Sequence, residues 1–131
     1  MGVLVEHFAA DADEIAAFDP ASSPEESGLA MVFCKGWLHG LPWLAAELTG
    51  RDRSEFGEEK LVTALADGEV VVVAVPSEVT RALAGVTEER LAAYADDELL
   101  DEFETSWHTA IRDLARGAVA TDRDLYCWMC V

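Results

Sequence analysis

Cys127 and Cys130 form the pattern in this sequence that most resembles a metal or redox motif. Two cysteines separated by two residues can bind zinc or exchange a disulfide, provided that both sulfurs converge. Here the spacer is Trp128-Met129 and not the Gly- or Lys-rich turn that brings such sulfurs together. In a strand, positions three apart point to opposite faces, and no second Cys-x-x-Cys or His pair supplies further ligands. We therefore expect core cysteines and no metal or cofactor.

Cys34 is the other residue that could act chemically, as a thiol nucleophile with a histidine as its base. His39 is close to it in sequence, and His7 and His108 could be close in space. Nothing in the sequence fixes that geometry, and small buried cysteines are far commoner than catalytic ones. We predict no catalytic residue, so the sequence favours a protein that is not an enzyme.

Trp37, His39 and Trp43 define the candidate pocket or contact surface. They lie in one segment that also contains the helix-breaking residues Gly40-Leu41-Pro42. Such a break can leave a concave, partly aromatic site. The alternative interpretation is that both tryptophans anchor the core and that His39 only occupies the joint.

The charge of the chain excludes several kinds of partner. It has 9 Lys and Arg against 26 Asp and Glu, a net charge of -17, so nucleic acid and anionic membranes are both repelled. The acidity either serves solubility alone or steers the protein towards a basic protein partner. The acidic cluster over residues 96–104 lacks the spacing and glycine of a calcium loop, and we interpret it as a solvated helix start.

Size and composition predict one globular domain over residues 1–131. The 51% of hydrophobic residues is enough to form a core in a chain of this length. No apolar run approaches the ~20 residues of a membrane helix, and the N-terminus lacks the basic start and cleavage site of a secretory signal. An odd number of cysteines agrees with a reducing compartment, so we predict a cytoplasmic protein.

Three apolar segments are predicted as strands. Residues 69–75 are β-branched on both faces, which indicates a central strand covered on both sides. Asp11 and Glu14 predict a capping box at the start of a short helix, and residues 21–28 predict a loop. The predicted strands span residues 2–9, 69–75 and 124–131.

The remaining apolar segments are predicted as helices. Residues 29–38 fit either a buried helix or a strand, and we favour a helix. Residues 97–116 repeat apolar side chains at helical spacing and predict the longest helix, which would hold His108 on its solvent side. Two other predicted helices cover 42–49 and 58–66, with Asp67-Gly68 as a turn. A further helix is predicted to start at Pro76-Ser77-Glu78 and to stop at Gly85, and Thr87 opens another.

The segment from Lys35-x-Trp37 to Leu48-Thr49-Gly50 resembles the Lys-x-Trp…Leu-Thr-Gly helix of the YfbM-like family, bacterial proteins of unknown function. Residues 75–91 are similar to the family's strand followed by two short helices. Residues 99–131 are similar to its long helix and last strand. The resemblance implies a compact domain of helices and strands, and it implies no activity, cofactor or catalytic residue.

Together these patterns predict a single α+β domain in which a small mixed sheet of N-terminal, central and C-terminal strands packs against several helices. The leading functional hypothesis is a non-enzymatic binding module for a basic macromolecular partner. A small-molecule-binding protein or enzyme with a pocket near Trp37 to Trp43 is the second hypothesis. The third is a structural or dimerisation role through the apolar terminal strand.

Overall fold

Five antiparallel strands form one sheet in the computed structural model, which describes residues 3–35 and 40–130. The order across the sheet is β2-β1-β5-β4-β3. The prediction of an α+β domain is confirmed, but the prediction of a mixed sheet is wrong because every described pairing is antiparallel. The strands are β1 (Leu4–Ala10), β2 (Met31–Lys35), β3 (Lys60–Leu65), β4 (Val70–Ala74) and β5 (Asp124–Cys130).

The helices lie mainly on one face of this sheet, where α5 packs across β1, β2 and β5. Two short 3-10 turns, Arg53–Phe56 and Ala66–Gly68, precede and follow β3. Among the described residues, no helix is both long enough and apolar enough to cross a membrane. The helices are α1 (Ala12–Ala17), α2 (Leu41–Thr49), α3 (Ser77–Ala84), α4 (Glu88–Asp97) and α5 (Glu102–Ala120).

The two faces of the sheet are buried in separate cores. The larger core lies under the helices and joins Val5, Leu125 and Cys127 of the strands to Leu83 and Ile111 of the helices. The alternate side chains of the same strands form the smaller core, which α1 and the loop after it cover. Its members include Phe8, Val72, Trp128, Ile15 and Phe18. The indole nitrogen of Trp128 donates a 3.0 Å hydrogen bond to the carbonyl of Pro20 in that loop.

The prediction of a helix over residues 29–38 is wrong, because residues 31–35 form β2. The strand pairs along β1, with Cys34 opposite Val5 and Val32 opposite His7. Cys34 and Val32 face the helices, whereas Phe33 between them is exposed on the other side. The side chains of this segment therefore alternate between the two faces of the sheet, as they do in a strand. Residues 36–39 lie outside the described part of the chain.

The prediction of a helix over residues 58–66 is also wrong, because residues 60–65 form β3. The chain turns at Asp67 and Gly68, which adopt φ values of 55° and 93° and return the chain along β4. Leu65 then lies opposite Val70. An Asp-Gly pair between two apolar runs is a hairpin signal, and the turn itself was predicted.

β5, and not β4, occupies the centre of the sheet. β4 lies between β5 and β3, and only Val72 of its five residues is fully buried. The chain order hides this arrangement, since β5 inserts between β1 and β4. Because β5 is paired along both edges, the apolar terminal strand offers no free edge for dimerisation.

The prediction of one helix over residues 97–116 is wrong at both ends. Leu99 has a φ of 52° and is 89% exposed, so it lies in a turn between α4 and α5. Asp101 caps α5 by accepting a 2.8 Å hydrogen bond from the amide of Glu104. At the other end the helix passes through Gly117 and ends at Ala120.

The predicted start of α1 and the predicted ends of α2 are confirmed. Asp11 and Glu14 each accept a hydrogen bond from the other's amide, at 2.8 and 2.9 Å, and so form the capping box of α1. Pro42 lies in the first turn of α2, and Gly50 ends that helix with a φ of 70°. Gly40 is the residue that caps α2, so the predicted joint is the entry to a helix and not a kink within one.

Candidate acidic cleft

A cleft of about 630 Å³ opens where the 3-10 turn 53–56, the beginning of β3 and the end of β4 meet. Its floor contains the buried ring of Phe56 together with Val75. Four carboxylates and one lysine line its walls, so the cleft carries a strongly negative charge. These charged residues are Glu55, Glu58, Glu78, Asp124 and Lys60.

Separate segments of the chain place the carboxylates around this floor, and a capping interaction orients Glu55. Asp52 caps the 3-10 turn by accepting a 2.9 Å hydrogen bond from the amide of Ser54, and Glu55 accepts one of 2.9 Å from the amide of Asp52. Gly57, at a φ of 75°, then redirects the chain towards β3. Glu78 comes from the first turn of α3, and Asp124 from the first position of β5.

Three of the four carboxylates have no cationic partner within the part of the chain that the structure describes. Glu58, Glu78 and Asp124 form no ion pair with any residue in the described ranges. Glu55 lies 3.8 Å from the guanidinium of Arg51, which is also centred 4.5 Å above the Phe56 ring. The carboxylates come from separate elements around an apolar floor. These carboxylates are spaced to contact several cationic side chains and not one ion. Within the described residues, no group of three or more His, Cys, Asp and Glu side chains could hold a metal ion.

Glu59 turns away from the cleft towards the core. Burial raises the pKa of its carboxyl group, and the charge of Arg53 opposes this effect only in part. Its negative charge also contributes to raising the pKa of Cys127. Glu59 therefore acts electrostatically on Cys127 in the helix-covered core, and its charge is not part of the cleft walls.

The cysteines do not form a reactive site. Burial raises the pKa of Cys34 and is the main cause that raises the pKa of Cys127 to about 12. Both thiols are therefore protonated at neutral pH, which opposes a nucleophilic role. Cys130 faces the smaller core, so its sulfur diverges from that of Cys127. None of the three cysteines is part of a disulfide within the described residues.

His7 and His108 are both buried, and for His108 this corrects the prediction of a solvent-facing position. His108 is only 5% exposed, and its ring lies beside those of Trp107 and Tyr94. The buried face of α5 is wider than the spacing of its apolar residues in the sequence indicates, because the helix contacts the sheet, α3 and α4. Burial lowers the pKa of His7 to about 4, so that imidazole is neutral.

Of the three predicted surface residues, Trp37 and His39 lie outside the described residues. Trp43 is in the first turn of α2, is 38% exposed and does not line the cleft. Sequence reasoning missed the cleft because its walls combine three segments distant in the chain. The available signal was the density of acids in residues 52–59, interrupted by Phe56.

Comparisons with protein-family models, with characterised proteins and with solved structures gave no significant match to this chain. The resemblance to the YfbM-like family therefore stays a prediction.

Proposed function

We propose that this protein is a non-enzymatic binding module that takes up a basic macromolecular partner at the acidic cleft. One observation carries the proposal: Glu58, Glu78 and Asp124 surround an apolar floor and have no cationic partner among the described residues. The net charge of -17 supports it, since a strongly negative protein attracts basic partners over a distance.

Lysine and arginine side chains match this cleft chemically. Their aliphatic stems can pack on apolar surface while the charged heads reach carboxylates at the rim. Arg51, above the ring of Phe56 and near Glu55, already shows this arrangement within the chain. A partner with several basic residues would extend the same contacts across the cleft. The reduced state of Cys34, Cys127 and Cys130, which form no disulfide within the described residues, supports a cytoplasmic setting for this function.

The proposal is tested by the binding of fluorescein-labelled octalysine, followed by fluorescence anisotropy in low salt and at about 150 mM salt. The cleft variant combines Glu58→Gln, Glu78→Gln and Asp124→Asn. The control variant combines Glu26→Gln, Glu89→Gln and Asp97→Asn, which are exposed positions outside the cleft. Both variants change the net charge by the same amount.

We expect the cleft variant to bind octalysine about threefold to a hundredfold more weakly, because three exposed charge contacts are together worth roughly 0.6–3 kcal/mol. The control variant should stay close to the wild type, and salt should weaken the binding of all three proteins. Equal losses in the two variants would show attraction to overall charge and not to the cleft. Undetectable binding to the wild type in low salt would refute the proposal.

A further inference from the structure

β3 is an edge strand with one unused side. It pairs with β4 only, and no described residue forms a hydrogen bond with the backbone of residues 60–65 outside that ladder. Half of the backbone groups of an edge strand point away from its neighbour and can pair with another chain. The first residue of β3, Lys60, also lines the acidic cleft, so the edge and the cleft are continuous.

The side chains of β3 are unusually apolar for an edge. Leu61 is 66% exposed, and Val62 and Leu65 are exposed as well. α5 and α3 pack on β1, β2 and β5, so the helix layer does not extend over β3. Exposed apolar side chains beside unpaired backbone groups are typical of a surface that accepts a strand.

We propose that a basic, extended segment of the partner adds to β3 as a further antiparallel or parallel strand. This inference rests on the proposed function and deepens it by naming the edge that binds and the conformation of the bound segment. Main-chain hydrogen bonds to β3 would supply the register, and lysine or arginine side chains would reach the carboxylates of the cleft.

The negative charge around β3 favours a basic partner segment over a second copy of the chain. Acidic residues precede and follow β3, namely Glu58, Glu59, Asp67 and Glu69. If two copies paired through β3, these acidic ends would oppose one another in either strand direction, and each chain carries a net charge of -17. A basic segment meets the same ends with opposite charge.

The geometry of β3 sets the length of the bound segment. A bulge between Leu61 and Thr63 interrupts the register, so the regular edge runs over Thr63–Leu65. The distance from Leu65 back to Lys60 at the cleft is about 17 Å at the usual rise per residue of a strand. A segment of about six residues therefore covers both the regular edge and the entrance of the cleft, with apolar residues alternating with basic ones.

The test uses a labelled octapeptide of alternating lysine and valine, together with the same peptide N-methylated at every residue. N-methylation removes the backbone donors on both edges of the peptide but keeps its charge. We expect the unmethylated peptide to bind at least about tenfold more tightly, since several main-chain hydrogen bonds are lost in the other. In the unmethylated complex, amide exchange should slow in residues 60–65 and not in β2.

A pair of matched variants locates the binding. Leu61→Lys should weaken binding of the unmethylated peptide about tenfold, whereas Phe103→Lys, at a 54% exposed position on α5, should change it less than about twofold. Equal affinity of the two peptides would overturn strand addition and leave the proposed function standing. Protection in β2 with none in residues 60–65 would also overturn strand addition. If neither peptide binds but octalysine does, strand addition fails and the proposed function stands; if octalysine does not bind either, both proposals fail.

Discussion

His7 and Trp107 meet edge to face in the larger core, with ring centroids 5.7 Å apart and ring planes at 65°. The pair joins β1, next to the central strand, to α5, the longest helix. Neither the Nδ1 atom of His7 nor the Nε1 atom of Trp107 has a hydrogen-bond partner among the described residues. The imidazole therefore packs as an aromatic ring, and burial holds its pKa at about 4.

The first prediction concerns acid stability. The unfolded chain binds a proton at His7 below about pH 6.5, whereas the folded protein binds one only below about pH 4. The free energy of unfolding therefore decreases as the pH is lowered from about 6.5 to about 4. The loss from this residue should reach roughly 3 kcal/mol. Urea unfolding at a series of pH values should show this slope in the wild type and a flatter one in His7→Leu.

The difference in pH dependence between the wild type and His7→Leu gives the contribution of His7 alone. Burial raises the pKa of Glu6 and of Glu59, and these groups titrate in the opposite sense in both proteins. Parallel curves for the wild type and His7→Leu would mean that the imidazole is protonated in the folded state or exposed to water.

The second prediction concerns Arg112, a buried cation on α5. Its guanidinium donates hydrogen bonds to the carbonyl of Val86 at 3.4 Å, to Asp113 at 2.9 Å and to Glu88. Arg112→Ala removes these bonds and leaves a cavity, so we expect a loss of roughly 2–4 kcal/mol in unfolding free energy. Arg81→Ala, an exposed arginine on α3, is the control and should change stability by less than about 0.5 kcal/mol. Similar losses in both variants would contradict this role.

The third prediction concerns thiol reactivity. Cys130 is half-buried, whereas Cys34 and Cys127 are buried and have raised pKa values. Iodoacetamide at neutral pH should therefore label Cys130 first, and the other two only after unfolding in urea. Peptide mass spectrometry after short exposures measures the order. Early labelling of Cys127 in the folded protein would be inconsistent with the buried position.

The fourth prediction concerns the capping box of α1, where Glu14 also bonds to Arg123 at 2.6 Å. Asp11→Ala should lower the unfolding free energy by about 1 kcal/mol, because an amide at the helix start loses its acceptor. Asp13→Ala, in the same turn but without a capping bond, should cost less. Thermal unfolding followed by circular dichroism compares the two. The assignment fails if Asp13→Ala is the more destabilising.

Local signals in the sequence predicted the parts of the fold that local interactions determine. Asp11 with Glu14, Pro42 and Gly50 act within one helical turn, and their roles were predicted correctly. The assignment of β2 failed because a short apolar run becomes a strand only when a partner strand is available. The partner of β2 is β1, on the far side of the loop 21–28.

The site was less predictable than the fold. The cleft brings Glu58, Glu78 and Asp124 together from three separate segments of the chain, and this proximity follows from the position of β5 next to β4. The break between α4 and α5 had a readable signal in Asp101 and Glu104, which match a capping-box spacing. The apolar spacing of Leu99 and Leu100 concealed that signal.

The central position of β5 has a consequence for how the protein folds. Without residues 124–130 the sheet consists of two separate strand pairs, β1 with β2 and β3 with β4, each with an open inner edge. Insertion of β5 joins segments more than 100 residues apart, as the pairing of Leu4 with Cys130 illustrates. Such non-local closure is slow. A nascent chain on the ribosome would therefore complete its sheet only after residues 124–130 emerge, and until then both inner edges are open to misassembly.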